Sequence, residues 1–448
     1  MVSASTQVVF CPADALIDGQ CMIHFYYRNT TGDPRFMEFD VLSESFYDTL
    51  RSSLPLALAT NMQMGPLWSG GLTATLSSDP KRPPMTRHVD SKCTIANMIA
   101  EGFSQASQPL ALDSMPQYTK PLEGDALVRL EVVYMADGVG VGVAFSHAVV
   151  DMAACVRFCQ EWGTRAQSMY TPDDSVVYQP AVLNTDRGRF WDAITAEETR
   201  AESAFDKHLA ELVDAAPELG NDGPSKVESD MGRSAKSLYR IEITAAATGD
   251  IGEARKSVAA GASIPNFLSA VLWRAITRAN SEARHTYFAT SLTVRTDPRF
   301  AEFWGNAATM KYIHMDAGTF SAMDIGDIAR TVQAIVSEFT PAEFLRILGT
   351  FTNVEYRNNL VEHVLFSQAP IVTISNVSRT PMYSVDFGFG PPAKVTCPSA
   401  LGPGMVGFFP NSKAGGIDIY LRASDAEIEQ IAGDSLLKDH IAITTYKP

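Results

Sequence analysis

The sequence lacks the features that mark exported, membrane-spanning or nucleic-acid-binding proteins. Met1–Phe10 has neither a basic segment nor a long apolar one, so we expect no signal peptide. No apolar run reaches the roughly 18 residues typical of a membrane span. The richest stretch, Ala126–Phe145, is interrupted by Arg129, Glu131 and Asp137. We therefore predict a cytoplasmic protein with no membrane partner.

Basic residues are in deficit. Lys and Arg number 36 against 51 Asp and Glu, which gives a formal charge of −15. Such a surface repels a phosphate backbone, so we expect no nucleic-acid partner. Net charge does not exclude a local basic pocket for a small anion.

Closely spaced cysteines are also scarce. Of the six cysteines, only Cys155 and Cys159 lie four residues apart, and no second pair or short-spaced histidine pair accompanies them. Zinc sites usually need such sets. We therefore predict no metal site and expect the cysteines to be buried free thiols in a reducing compartment.

What is present is an ordinary globular composition with alternating strands and helices. Of the 448 residues, 46% are hydrophobic and 19% are charged. The alternation in both halves predicts an α/β fold. A polar stretch that ends in Pro217–Pro224 separates the halves. We expect an N-terminal domain over 1–185, a crossover linker over 186–235 and a C-terminal domain over 236–448.

The clearest local pattern is Ala126–Phe145, which predicts a buried β-hairpin around Asp137-Gly138. A helix should follow over Met152–Gln167. In the second half, the pattern predicts a strand over Leu238–Ile243 and a helix over Asn266–Ala279.

Two short motifs could carry chemistry. His147 stands at the end of the second hairpin strand, with Asp151 four residues later. A neutral imidazole can take a proton from a hydroxyl or an amine, as general-base catalysis requires. The second motif is Asp386-Phe387-Gly388-Phe389-Gly390, whose glycines indicate unusual backbone dihedral angles. A kinase interpretation of Asp-Phe-Gly fails, because the other kinase motifs are absent. Taken alone, each motif also fits a purely structural role.

Together and in this order, the two motifs resemble those of the BAHD acyltransferases, which carry HxxxD and DFGWG. The helix Asn266–Arg274 is similar to the family's LSAxxWR helix, and Phe303–Asn306 is similar to its YFGN stretch. Ser375–Pro381 lies where the family often has TSWxRxP. The matches span roughly residues 120–425, and the chain looks most like the fungal, secondary-metabolism members.

The resemblance implies a chloramphenicol-acetyltransferase-like fold of two similar-sized mixed α/β domains with a channel between them. Acyl-CoA would be a co-substrate rather than a permanent cofactor, and a small molecule would accept the acyl group. His147 would act as the general base. Family members are mostly monomers, so we expect a monomer.

The resemblance also implies roles for other residues. Ser375 and then Asn376 are candidate donors to the oxyanion. Asp151 would pair with Arg295 and serve the architecture. Asp386, Gly388 and Gly390 would hold structure away from the chemistry. Position and charge suggest four contacts to CoA: Ser263, Arg274, Arg278 and Lys394.

Departures from the family pattern leave two alternatives open. Condensation domains, which take the acyl group from a carrier protein, normally have a second His before the motif and a Gly after it. This chain has Ser146 and Met152 there, which argues against that reading. A non-acylating cyclase or binding chamber is the other alternative. Val377 and Phe389 stand where the family usually has Trp. No pattern identifies the acceptor, the acyl chain or the choice between oxygen and nitrogen.

Overall fold

A computed structural model describes residues 5–9, 20–64, 72–104, 107–113, 126–170, 236–351, 370–397 and 404–446. The described residues divide into two compact units. The first takes those within 1–192, 295–307 and 380–400, and the second takes those within 193–294, 308–379 and 401–448. The predicted linker over 186–235 lies outside the described residues.

The first unit contains a five-stranded sheet in the order β12-β2-β7-β6-β5 and a three-stranded sheet in the order β1-β4-β3. Pairs in the larger sheet are antiparallel except β5 with β6. The elements, numbered along the chain, are β1 Ser5–Val9, β2 Gln20–Arg28, α1 Phe39–Ser53, β3 Thr60–Met64, β4 Leu72–Ser77, β5 Met85–Asp90, α2 Ile95–Ala100, α3 Leu110–Asp113, β6 Val128–Met135, β7 Gly138–Ser146, α4 Met152–Tyr170 and β12 Lys394–Thr396.

The predicted hairpin is present as β6 and β7. Asp137 in its turn accepts hydrogen bonds from the N–H groups of Ile95 and Ala96, at 2.7 and 3.0 Å, and so ties the turn to the start of α2. Gly138 is required because a Cβ there would lie 2.1 Å from the carbonyl oxygen of Tyr27. The hairpin is thereby fixed at the end opposite His147.

Helices α1 and α4 pack together through aromatic side chains. Trp162 and Phe46 lie 4.9 Å apart between ring centroids, and Phe158 contacts both Phe46 and Phe145 of β7. The indole N–H of Trp162 donates to Ser45 Oγ at 2.9 Å. Buried residues recur along α4 at three- and four-residue intervals, so one face of the helix rests on this core.

The second unit has one seven-stranded sheet in the order β10-β9-β11-β13-β14-β8-β15. Strand β11 runs parallel to both β9 and β13, and the other pairs are antiparallel. Its elements are β8 Ser237–Ile243, α5 Ala245–Val258, α6 Ile264–Ala279, β9 His285–Thr293, β10 Ala308–Asp316, α7 Ala317–Ala322, α8 Ile325–Ser337, α9 Pro341–Phe351, β11 Ile371–Asn376, β13 Met405–Pro410, β14 Ile417–Ala423, α10 Asp425–Gly433 and β15 Ala442–Tyr446.

Helix α6 is the centre of the second unit's core. Phe267, Val271 and Trp273 are fully buried in one cluster with residues of the sheet and of α8. The predicted strand over Leu238–Ile243 and the predicted helix over Asn266–Ala279 are both present, each extended at its N-terminus. Pro265 occupies the first turn of α6, where its missing N–H needs no partner.

The units differ from the contiguous domains expected from the sequence. The expected C-terminal domain over 236–448 includes the segment that carries Asp386, whereas that segment belongs to the first unit. The reason is strand pairing: β12 adds to the edge of the first unit's sheet, with Lys394 opposite Tyr26. A three-residue strand leaves too little periodicity for sequence analysis to detect.

His24 in β2 is a buried histidine whose two ring nitrogens have no hydrogen-bond partner within the described part of the chain. It lies between Thr396 and Gly142 in the sheet register. Burial lowers the pKa of His24 from 6.5 to about 4, because the charged ring would lose its hydration.

We predict that acid destabilises the first unit through His24. Above pH 6.5 both folded and unfolded chains hold a neutral ring. As pH falls toward 4 only the unfolded chain takes up the proton, so the free energy of unfolding drops by up to about 3 kcal/mol. Urea unfolding at pH 7.5 and 4.5 should show this loss in the wild type and in His440→Gln, and a smaller one in His24→Leu. Equal losses in all three would contradict the assignment.

Candidate active site around His147

His147 lies in the short turn that links β7 to α4, and its side chain is half-buried. The turn is supported from the neighbouring strand, because the Cys21 thiol on β2 donates to the carbonyl oxygen of Val150 at 3.4 Å. Burial raises the pKa of the Cys21 thiol, so this group stays protonated as a donor. The histidine is therefore presented from a fixed edge of the sheet.

Asp151 is buried, and its oxygens are occupied by fixed donors. Arg295 Nη2 lies 2.9 and 2.8 Å from its two oxygens. The N–H of Ala154 donates to Oδ1 at 2.9 Å, which makes Asp151 the N-cap of α4. The N–H of Ala307 donates to Oδ2 at 3.0 Å. These contacts assign the carboxylate to the scaffold.

Arg295 extends this scaffold to the segment over residues 303–307. Its Nη1 donates to the carbonyl oxygen of Phe303, and its Nη2 donates to that of Gly305 at 2.8 Å. Together with the Ala307 bond to Asp151, these contacts hold the segment at three points. The ion pair therefore fixes a loop as well as a helix end.

Asn306, within that segment, contacts His147 twice and is fully buried. Its Nδ2 donates to the carbonyl oxygen of His147 at 2.7 Å, and its Oδ1 lies 3.0 Å from His147 Nδ1. We call residues 303–307 the histidine-holding loop. Sequence reasoning missed Asn306 as a functional residue, because only its place in a family stretch drew attention to it.

The two contacts define the tautomer of a neutral His147. The Asn306 amide nitrogen is committed to a carbonyl, so its oxygen faces Nδ1 and can only accept. Nδ1 therefore carries the proton, and Nε2 carries the lone pair. An imidazole in this state can take a proton from a hydroxyl or an amine.

Asp386 organises the second motif as a tight turn. Its Oδ1 accepts hydrogen bonds from the N–H groups of Gly388, Phe389 and Gly390, at 2.7, 3.0 and 2.9 Å. Gly388 and Gly390 have φ values of 98° and 90°, which non-glycine residues rarely adopt. The turn therefore requires glycine at both positions.

The same turn is docked on α4. Gln167 Nε2 donates to the carbonyl oxygen of Asp386 at 2.7 Å. Gly163 allows the approach, since a Cβ there would lie 2.4 Å from that oxygen. Phe387 is buried with its ring centroid 4.5 Å from that of Trp162. Helix α4 thus joins both motifs.

Ser375 and Asn376 belong to the second unit, at the end of β11. Ser375 is half-buried, and Asn376 is exposed. Asn376 Oδ1 accepts from the N–H and hydroxyl of Ser378 at 3.2 and 2.8 Å. Their role at an oxyanion stays a prediction.

The four residues suggested for CoA differ in their surroundings. Ser263 is the N-cap of α6, and Arg274 pairs with Asp434 at 2.7 Å. Lys394 is buried in β12, whereas Arg278 is exposed. Of the four, Arg278 is the exposed cation, and the set stays a prediction for CoA.

The described ranges offer neither a metal-binding cluster nor a membrane-spanning helix. They contain no group of three or more His, Cys, Asp or Glu side chains arranged to hold a metal ion. No helix among them has both the length and the apolar character needed to cross a membrane. The five cysteines in these ranges form no disulfide, and four of them are buried.

We predict that Asp151→Ala costs about 3 kcal/mol of unfolding free energy, because it leaves the largely buried Arg295 without its counter-ion. Asp297→Ala is the matched control. It breaks an ion pair two residues after Arg295, and the partner in that pair, Arg299, is 56% exposed. That loss should stay below about 1 kcal/mol. Equal losses in urea unfolding would contradict the scaffold role of Asp151.

We also predict that Asp386→Ala costs about 2 kcal/mol, since three backbone N–H groups lose their shared acceptor. Asp386→Asn keeps an oxygen at Oδ1 and should retain more than half of that stability. Urea midpoints of the two variants provide the measurement. If the two variants are equally destabilised, the stability comes from the charge of Asp386 and not from the acceptor at Oδ1, and the prediction is wrong.

Comparisons with known proteins bear on the family and the fold of this chain. The family model described as "Transferase family" matches residues 106–436. A curated relative, the 17,18-epoxy-17-hydroxycur-19-ene N-malonyltransferase of Strychnos nux-vomica, is 24% identical over 291 residues. The match covers 62% of this chain and 54% of the relative, so it spans about half of the relative's length.

Solved structures confirm the predicted fold class. F. graminearum TRI101 complexed with coenzyme A and deoxynivalenol superposes with a TM-score of 0.71 at 15% identity, covering 98% of this chain and 99% of that one. Vinorine synthase gives 0.63 at 13% identity, covering 94% and 91%. The family model spans well over half of the 448 residues, and the chain accordingly belongs to the Transferase family, that of the BAHD acyltransferases that its two motifs resemble.

Proposed function

We propose that this protein is an acyl-CoA-dependent acyltransferase that acylates a hydroxyl or an amine of a small-molecule natural product, with acetyl as the default acyl group. The observation that carries the proposal is the pair of hydrogen bonds between Asn306 and His147, which leaves the lone pair of a neutral ring on Nε2. A base of this kind, on a fold shared with acyl-transferring enzymes, is what the reaction needs.

In the proposed reaction, His147 Nε2 takes the proton of the acceptor O–H or N–H as the acceptor attacks the thioester carbonyl carbon. A tetrahedral intermediate forms, and its oxyanion needs fixed donors, for which Ser375 and Asn376 are our candidates. The C–S bond then breaks, and the proton on Nε2 passes to the leaving thiolate of CoA. The histidine returns to its starting tautomer with no net change.

The names of the similar proteins support the substrate classes. The Strychnos relative is an N-malonyltransferase, and F. graminearum TRI101 has been crystallised with coenzyme A and T-2 mycotoxin and with coenzyme A and deoxynivalenol. By analogy, we propose a CoA thioester as donor and a natural-product alcohol or amine as acceptor. We further propose that the protein works as a cytoplasmic monomer without a bound cofactor.

The test is an acyl-CoA binding and transfer experiment on wild type and His147→Ala. Acetyl-, malonyl-, benzoyl- and a long-chain acyl-CoA are screened by thermal shift. A donor at 100 times its dissociation constant should stabilise both proteins by about 2.7 kcal/mol. Transfer to a panel of natural-product alcohols and amines should then fall by at least about 100-fold in His147→Ala.

Asp297→Ala serves as the control variant, because its pair with Arg299 lies outside the contacts of His147. If no acyl-CoA stabilises either protein, the CoA donor is wrong, and a carrier protein becomes the next donor to test. If His147→Ala transfers at the wild-type rate, the general-base assignment is wrong.

A further inference from the structure

Besides its contacts with Arg295, the histidine-holding loop and the residue before it also contact helix α4. Arg295 binds the loop by donating hydrogen bonds to two of its backbone carbonyl oxygens. On α4, Arg157 forms an ion pair with Glu302, immediately before the loop. The Arg157 guanidinium carbon also lies 5.4 Å from the centroid of the Trp304 indole, in cation–π range.

Trp304 lies between this contact and the residue that holds His147. Its side chain is fully buried, and Asn306, two residues later, is fully buried as well. Two residues of extended chain span at most about 7 Å. Arg295 binds the carbonyl oxygens of Phe303 and Gly305 through one guanidinium, which ties this stretch together. We therefore expect a shift of the indole to carry the Asn306 amide with it.

We call the contacts of Arg157 with Glu302 and Trp304 the clamp, and it depends on the identity of these side chains. Trp304 stands where the YFGN stretch has Phe, and indole is the best cation–π ring among the aromatic side chains. The planar guanidinium of Arg157 can face the ring while its N–H groups reach Glu302, which the point charge of a lysine does less well.

We propose that Arg157 is a positioning residue for His147, acting through Trp304 and Glu302 on the loop that presents Asn306. The inference rests on the proposed function, since it concerns the base of that reaction. Arg157 itself is 36% exposed at its side chain, and it contacts Glu302 and Trp304. Its effect is indirect, through the loop.

The first readout needs no substrate. Ring ¹⁵N chemical shifts report which nitrogen of each of the eight histidines is protonated, and His147→Ala identifies the His147 signals. Wild type should show a protonated Nδ1 and an unprotonated Nε2. In Arg157→Met, which keeps the side-chain bulk, the two shifts should move toward each other as the second tautomer becomes populated.

The second readout is kinetic. With acetyl-CoA or the donor found above, Arg157→Met should lower kcat about five- to tenfold and change KM for the donor by less than about twofold, because only the placement of the base changes. Arg157→Lys should recover part of kcat. Arg165→Met is the matched control, since Arg165 lies on the same helix but pairs with Asp48, and it should leave kcat unchanged.

A double-mutant cycle with Asn306→Ala separates positioning from general destabilisation. If Arg157 acts through Asn306, then Arg157→Met adds little once Asn306 is replaced. Unchanged His147 shifts in Arg157→Met, or additive effects in the cycle, would overturn the inference. Full activity of His147→Ala would instead overturn the general-base part of the proposed function, while the ring shifts of the wild type would still report on the clamp.

Discussion

The buried ion pair between Asp151 and Arg295 is the interaction on which the rest of the site depends. Neither group could be buried alone without a cost of several kcal/mol. The cost is offset because each group has further hydrogen bonds besides the ion pair. Asp151 caps α4 and accepts from the N–H of Ala307. Arg295 donates to two carbonyl oxygens of the histidine-holding loop. The loop can then present Asn306 to His147. Removing the pair therefore removes both the helix cap and the contacts that hold the loop in place.

Helix α4 gives this arrangement its rigidity. Asp151 caps its N-terminus, and Arg157 lies in its second turn. Gly163 and Gln167, farther along the helix, dock the Asp386 turn. One face of the helix is packed by large aromatic groups, including Trp162. Because packed interiors transmit displacements instead of absorbing them, two motifs separated by more than 200 residues of sequence behave as parts of one rigid element.

The sequence predicted the elements that have strong local patterns. The hairpin before His147, helix α4 and helix α6 appear close to their predicted bounds, because their buried residues recur with strand or helix periodicity over many positions. The pairing of Asp151 with Arg295 came from the family resemblance, since no local pattern links residues 144 positions apart.

The unpredicted parts are those that depend on tertiary contacts. Strand β12 has three residues, and its pairing with β2 moves the Asp386 turn into the first unit. Asn306 is one polar residue in an irregular loop, and Arg157 looks like a solvated residue on the polar face of a helix. Nothing in their own sequence neighbourhoods distinguishes them. Their importance comes from what the fold places beside them.

The division of labour between Asp151 and Asn306 has a chemical consequence. The carboxylate charge is committed to Arg295, so the residue that orients His147 is a neutral amide. In the proposed reaction the proton taken by Nε2 must leave again for the departing thiolate. A carboxylate on Nδ1 would stabilise the charged ring and hold that proton more tightly. An amide fixes the tautomer through geometry alone, and it therefore suits a base that must also return the proton as an acid within each turnover.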